Sequence, residues 1–234
     1  MNKIDIIAKL HDNLQTLMAE RRLVIDNPGV AAARMVLRQF QATRLADTHA
    51  DLLASKETRA AAQFFLDELY GTKDFTQRDA DIERIVPMIE HLLPVSALHY
   101  IAEAIELDAL SESLDGVMAN HLGEHFTQDE YAIAYRAVGR RVDREKQISH
   151  VNSVGHSLCE LVHFPLIGIT LTAMRSPAKL AKLSELHHFL EQGYAAFKKM
   201  KKPENFVSTI VTRETVILKN LFAGNTNPFQ LISE

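Results

Sequence analysis

The 234-residue sequence is poor in the residues that interrupt helices and in those that bind metals through sulfur. Nine glycines and seven prolines are fewer than usual, which argues against a many-stranded sandwich or barrel. The single cysteine, Cys159, excludes a disulfide framework and any site that needs several thiolates. Tryptophan is absent. The 47% hydrophobic and 24% charged residues that are present are typical of a globular chain.

The chain also lacks a strong charge of one sign and a long apolar run. A formal net charge of -4 disfavours bulk nucleic-acid binding, and the lysines of residues 198–202 leave DNA association only as a local alternative. The longest apolar run, residues 164–174, is shorter than the roughly 20 residues of a membrane span. The first residues do not resemble a secretory signal. We therefore expect a cytoplasmic protein without a membrane partner.

Helical periodicity and helix-capping residues recur along the whole length. The first segment shows the pattern in the apolar residues Ile6, Leu10, Leu14 and Leu17. Thr127 and Glu130 form a capping box that opens the longest helical stretch, which reaches residue 164, and Gly224 ends the last helix. The sequence thus predicts an all-α protein of about nine helices, with a single domain over residues 1–224 and a tail over 225–234.

The apolar stripe of that longest stretch changes side after Lys146. Either the helix breaks or kinks near residues 145–150, or one continuous helix packs on two different neighbours. In a continuous helix, Arg140 and Arg144 would align with the second stripe. They would then be half-buried and would need acidic partners.

Residues 64–79 read FFLDELYGTKDFTQRD, and three further segments carry related patterns: VGRRVDREKQI at 138–148, MRSPA at 174–178 and FLEQGYAAF at 189–197. Together they resemble an uncharacterised family of bacterial helical proteins that carries the motif FFL-[DE]-[DE]-LYG-x-x-D-F-x-x-R-D. The resemblance covers roughly residues 35–224. It implies a helical fold and carries no particular chemistry with it.

Read physically, most of that first motif ends one helix and caps the next. Its charged residues also suggest a polar site where the motif meets the arginines of the long helix. The candidate residues of this polar cluster are Asp74, Arg78, Asp79, Arg140, Arg144 and Gln147. The arginines would hold either the carboxylates of the motif or an anionic ligand. We therefore expect a ligand-binding or protein-interaction module rather than an enzyme. Its partner would be a protein or a small anion, no cofactor is predicted, and a homo-oligomer is compatible with the sequence.

The alternative is a metal-dependent, di-iron-like oxidoreductase. Two E-x-x-H pairs on two predicted helices match part of the ligand pattern of ferritin-like sites. The candidate ligands are His156, Glu160, His163, Glu185 and His188. In regular helices both pairs face away from the apolar stripes, whereas such a site requires ligands that point inward. Metal binding is therefore the less favoured interpretation.

Two more residue patterns carry candidate chemistry. Residues 121–125, HLGEH, match a zinc-protease pattern that requires both histidines on one helical face, but Gly123 lies where we expect the helix to end. Glu214 sits between the apolar residues Ile210 and Leu218 of the last helix. A carboxylate there either pairs with an arginine or has a raised pKa, and we expect pairing. Cys159 is predicted to be a buried, inert thiol.

Overall fold

The computed structural model describes residues 2–68, 76–92 and 95–231. Within those ranges the chain forms eleven α-helices and no strand, which confirms the all-α prediction. The helices are α1 (Lys3–Asp26), α2 (Pro28–Thr48), α3 (Ala50–Ala54), α4 (Arg59–Glu68), α5 (Thr76–Leu92), α6 (Val95–Leu122), α7 (Gln128–Val138), α8 (Arg141–Leu161), α9 (Pro165–Leu180), α10 (Ser184–Lys198) and α11 (Pro203–Ala223). The number exceeds nine because some expected continuous helices are divided.

Local capping sets several helix boundaries as the sequence predicts. The Thr127 side chain accepts a hydrogen bond from the Glu130 backbone N–H, and the Glu130 carboxylate accepts one from the Thr127 backbone N–H, so the capping box of α7 is complete. Gly224 closes α11 with a φ of 75°, a left-handed conformation that glycine adopts at little cost. At the end of α6, Gly123 has a φ of 68°. The HLGEH pattern therefore straddles a helix end and cannot present both histidines on one helical face.

The long stretch that begins at Thr127 is divided, but not where the sequence predicts. The prediction of a break near residues 145–150 is wrong, because α8 is continuous there. The break lies at Gly139 and Arg140, with φ values of 69° and 55°. Residues with positive φ leave the right-handed helical conformation, so the chain changes direction at this point. The change of direction explains why the apolar stripes of α7 and α8 face different neighbours.

A serine followed by proline commonly begins a helix, but no helix begins at Ser176 and Pro177. Pro177 lies inside α9, which begins instead with Pro165 at its first position. The chain turns between α9 and α10 at Lys182, which has a φ of 57°. Residues 165–180 therefore form one helix.

The core consists of three apolar clusters that share helices. The first joins α1, α5 and α6 around Leu10 and Leu98. The second joins α2, α6, α7 and α11 around Leu37 and Tyr131. The third joins α4, α8, α10 and α11 around Phe197 and Phe206. α6 and α11 thus link the clusters, whereas α9 packs mainly against α10.

The segment after α11 folds back onto the second cluster. Its Phe229 ring packs against Phe40 and Tyr131, with ring centroids 6.2 Å and 6.0 Å away. The Asn220 side chain donates a hydrogen bond to the Pro228 carbonyl at 3.2 Å. The described part of the expected tail is therefore attached to the domain.

Candidate functional site

Only part of the predicted polar cluster can be placed. Asp74 lies outside the described residues. Arg78 and Asp79 belong to α5, but their side chains also lie outside the described part of the structure. The α8 half of the cluster is described, and its three members have different environments.

Arg144 is the buried member of the cluster, with 5% of its surface exposed. Its guanidinium carbon lies 4.8 Å from the centroid of the Tyr135 ring, a cation–π contact. One guanidinium nitrogen donates to the Gln147 side chain at 3.3 Å, while Nη2 has no hydrogen-bond partner among the described residues. Burial raises the pKa of the Asp115 carboxyl, and the nearby Arg144 charge only partly offsets this effect.

The other two members attach α8 to α6. Gln147 donates to the Ser111 hydroxyl at 2.8 Å. Arg140 donates to the Asp143 carboxylate at 2.7 Å and to the Ser113 hydroxyl at 3.0 Å.

A larger charged network that sequence reasoning missed lies between α1, α2 and α6. The Glu112 carboxylate, 5% exposed, accepts hydrogen bonds from Arg21 at 2.6 Å, from Arg34 at 2.8 Å and from Arg38. Arg34 also pairs with Glu20. A Cβ added at Gly116 would lie 2.4 Å from Arg34 Nη2, so the glycine provides the space for the guanidinium. We call Glu112 with these three arginines the Glu112 network.

One signal for this network was present in the sequence. Arg34, Arg38 and Gln41 recur at helical spacing along α2, and therefore line one side of the helix. Gln41 donates to the Asp115 carboxylate at 3.0 Å, while its Oε1 has no hydrogen-bond partner among the described residues. A stripe of polar residues on the buried side of a helix predicts acidic residues on the helix that packs against it.

The pairing expected for Glu214 is confirmed. Its two carboxylate oxygens each lie 2.6 Å from Arg44 Nη1, and His49 Nε2 is 3.1 Å from Oε1. Burial raises the pKa of Glu214, but the Arg44 charge and the hydrogen bonds from His49 and Arg44 outweigh burial and lower it to about 2. The carboxylate therefore links α11 to α2 in its charged form.

The candidate metal ligands are dispersed. All five side chains, those of His156, Glu160, His163, Glu185 and His188, are exposed. The two histidines of α8 and the turn after it contact backbone carbonyls, at 2.8 Å from Asn152 and 2.6 Å from Cys159. Within the described ranges, no group of three or more His, Cys, Asp or Glu side chains is arranged to hold a metal ion. Cys159 is buried, and burial raises the pKa of its thiol to about 11, as expected for an inert cysteine.

The most unusual surface is on α9. One side of this helix packs on α10, where His187 Nε2 lies 2.8 Å from the Leu171 carbonyl oxygen and Arg175 pairs with Glu191. Its other side carries apolar side chains that face solvent, notably Leu166 (73% exposed) and Leu180 (86%). We call this surface the α9 face, and define it as Phe164, Leu166, Ile169, Ala173, Met174 and Leu180.

Taken one at a time, none of the helices in the described part of the chain is long and apolar enough to cross a membrane. Residues 141–161 and 166–180 have the length and apolar composition of a membrane span only when they are taken together, and the two segments are bent by 92° relative to each other.

Comparison with curated proteins and with solved structures found no match. The family model described as "Domain of unknown function (DUF8198)" matches residues 20–228, a range that includes the Glu112 network, the described polar-cluster residues and the α9 face. Because this match covers most of the chain, the protein belongs to that family.

Proposed function

We propose that this protein is an interaction module, not an enzyme, and that it docks a protein partner on the α9 face. The observation that carries the proposal is the exposure of several large apolar side chains on one helix side, where they continue over the whole helix. Contiguous apolar surface of this kind is typical of protein interaction sites.

The magnitude of burial supports a docking role. Covering a Leu or Ile side chain contributes about 1.5–3 kcal/mol. Covering Leu166, Ile169 and Leu180 would therefore contribute roughly 5–9 kcal/mol. Association itself costs about 4–15 kcal/mol, so the apolar contacts alone give weak binding and further contacts would be needed for a stable complex.

Arg140 of the predicted polar cluster and the arginines of the Glu112 network all have partners within the chain, which favours docking on the α9 face over a ligand site at these arginines. Arg140 already has Asp143 and Ser113 as partners, and the arginines of the Glu112 network share one carboxylate. Buried charges with partners inside the chain determine how helices pack. We therefore interpret these groups as architecture.

A small anionic ligand beside Arg144 is the second candidate. It is favoured by the buried Arg144 Nη2, a cationic donor without a hydrogen-bond partner among the described residues. Ligand binding to the folded state raises the unfolding temperature. A saturable rise in Tm with inorganic phosphate, absent with the same ionic strength of chloride, would support this candidate. No difference between the two salts would reject it.

The proposed docking role is tested by site-specific crosslinking in cells. A photo-reactive amino acid replaces Ile169 on the α9 face, and in a control variant it replaces Val142, an apolar residue of α8 that is 77% exposed. We expect one discrete protein adduct from position 169 and none of that mass from position 142. A Leu180→Asp substitution should abolish the adduct. Absence of an adduct at position 169, or the same adduct at both positions, would contradict the proposal.

A further inference from the structure

We propose that the partner presents an apolar helix flanked by acidic residues to the α9 face. This inference rests on the proposed interaction function and specifies the chemistry of the partner. It is carried by the distribution of charge around the face and by the sizes of the side chains along it.

The hairpin of α9 and α10 is basic within an acidic chain. Residues 161–202 contain seven Lys or Arg and two Asp or Glu, a net charge of +5, although the whole chain has -4. The remainder of the chain therefore carries -9. One of the two acids, Glu191, is already paired with Arg175. The acids Glu185 and, at the end of α8, Glu160 are also exposed, so positive charge is in excess near the face but is not the only charge there.

These positive charges lie at both ends of α9, and those at its amino end come from α10, which packs on the side of α9 opposite to the α9 face. Lys179 and Lys182 are exposed at the carboxyl end of α9. At the amino end, Lys198 Nζ donates to the Val162 carbonyl at 2.7 Å, which places the lysine-rich end of α10 beside the start of α9. Lys199 is exposed there too. An apolar strip between two basic ends is complementary to an apolar strip between acidic ends.

The strip also has the spacing of a helix-pairing seam. Leu166, Ile169, Ala173, Ser176 and Leu180 follow a three-and-four residue alternation, the pattern by which two helices interdigitate. The side chains are large at both ends and small at Ala173 and Ser176 in the centre. Small central residues let a second helix approach closely, because the distance between helix axes depends on the side chains at the contact.

The other occupants fit less well. A second copy that pairs its α9 face with this one would bring basic ends against basic ends, and like charges oppose association. Nucleic acid would use the lysines and leave the apolar side chains without a role. An amphipathic helix that lies on a membrane has a strongly charged polar side, whereas the other side of α9 is packed against α10.

The test uses the full chain and two synthetic helical peptides as probes. Both peptides carry the same leucine seam, one with glutamate and one with lysine at the flanking positions. In fluorescence polarisation titrations at low salt, we expect the glutamate peptide to bind at least about 10-fold tighter than the lysine peptide, with an affinity that falls as salt is added. Equal binding of the two peptides, or binding that salt does not change, would overturn the inference.

Charge-reversal variants connect this preference to the α9 face. Lys179→Glu with Lys199→Glu, one change at each end, should reverse the preference between the two peptides. The matched control is Lys56→Glu with Lys219→Glu, two exposed lysines elsewhere, which carries the same change in net charge. The control should retain the preference of the original protein. If the control loses it equally, net charge rather than the α9 face is responsible and the inference fails.

Three additional binding measurements test the other possible occupants of the α9 face. Anionic phosphatidylglycerol vesicles, a DNA duplex and the protein alone at rising concentration are tested with the same variants. Tighter binding to vesicles or DNA than to the glutamate peptide would show that a membrane or DNA, and not an acidic helix, binds the α9 face. Self-association that is lost in Ile169→Asp would show that a second copy of the chain binds there. The proposed docking function has its own test, and it is rejected when the crosslinked adduct at position 169 is missing. An adduct together with equal peptide affinities would refute only the acidic chemistry.

Discussion

Removal of the Glu112 charge is the sharpest perturbation of the fold that the structure offers. In Glu112→Gln the side chain keeps nearly the same shape but loses the charge that three arginines share. Arg34 is the member most affected, because it is 3% exposed and cannot recover its hydration. It retains Glu20, which is a partial replacement. Breaking a buried ion pair by removing one partner costs about 3–5 kcal/mol, and we expect a loss of this size.

The assay is urea unfolding followed by far-UV circular dichroism, which suits a helical chain without tryptophan. The matched control is Glu145→Gln, which removes an exposed pair with Arg141 at 2.9 Å. Exposed pairs contribute roughly 0–1 kcal/mol, so the midpoint of the control should change little. If Glu112→Gln is as mild as Glu145→Gln, the Glu112 network does not hold α1, α2 and α6 together, and the structural argument is wrong.

Three other predictions concern packing, pH and metal. Gly116→Ala should destabilise the protein by up to about 2 kcal/mol in the same assay, because displacement of the Arg34 guanidinium costs about 1–3 kcal/mol and alanine gains about 1 kcal/mol over glycine inside a helix; a higher midpoint would show that the space is not needed. The pKa of Glu214 is about 2 in the folded protein against an ordinary value of 4.5, so its stabilising effect is complete above pH 4.5 and is lost as the pH falls through about 2. The loss of stability in Glu214→Gln should therefore be large near neutral pH and shrink below pH 4.5, and a difference independent of pH would contradict this. Protein produced with added iron should contain no stoichiometric metal by elemental analysis and no visible absorption band; a metal that is lost on substitution of Glu160 or His188 would revive the oxidoreductase alternative.

The parts of the fold that depend on local sequence were predictable. Helix periodicity and the Thr127–Glu130 capping box act within a few residues, and the structure has the all-α fold and the capping box that they predict. The pairing of Glu214 was also predictable, because a lone carboxylate among apolar neighbours has few alternatives. The identity of its partner, Arg44, depends on how α2 and α11 meet, and no local pattern specifies that.

The Glu112 network and the α9 face were missed for two different physical reasons. The network depends on the alignment of α2 with α6, which brings together residues about 70 to 80 positions apart in the sequence. The α9 face depends on a helix that continues through Pro177, whereas proline inside a helix is costly and normally marks a boundary. Once α9 is seen as one helix, Leu166 and Leu180 belong to one surface.

Docking of a protein on the α9 face should enlarge the complex that the protein forms in its native cells. The size of that complex is the measurement that decides whether the docking occurs. Gentle extracts that contain the tagged protein, either unchanged or with Ile169→Asp, are compared by size-exclusion chromatography. Ile169 is 64% exposed, so the substitution should leave the fold intact. We expect the unchanged protein to elute well above its 26.3 kDa monomer mass and Ile169→Asp to elute as the monomer. Equal elution of the two proteins would contradict it.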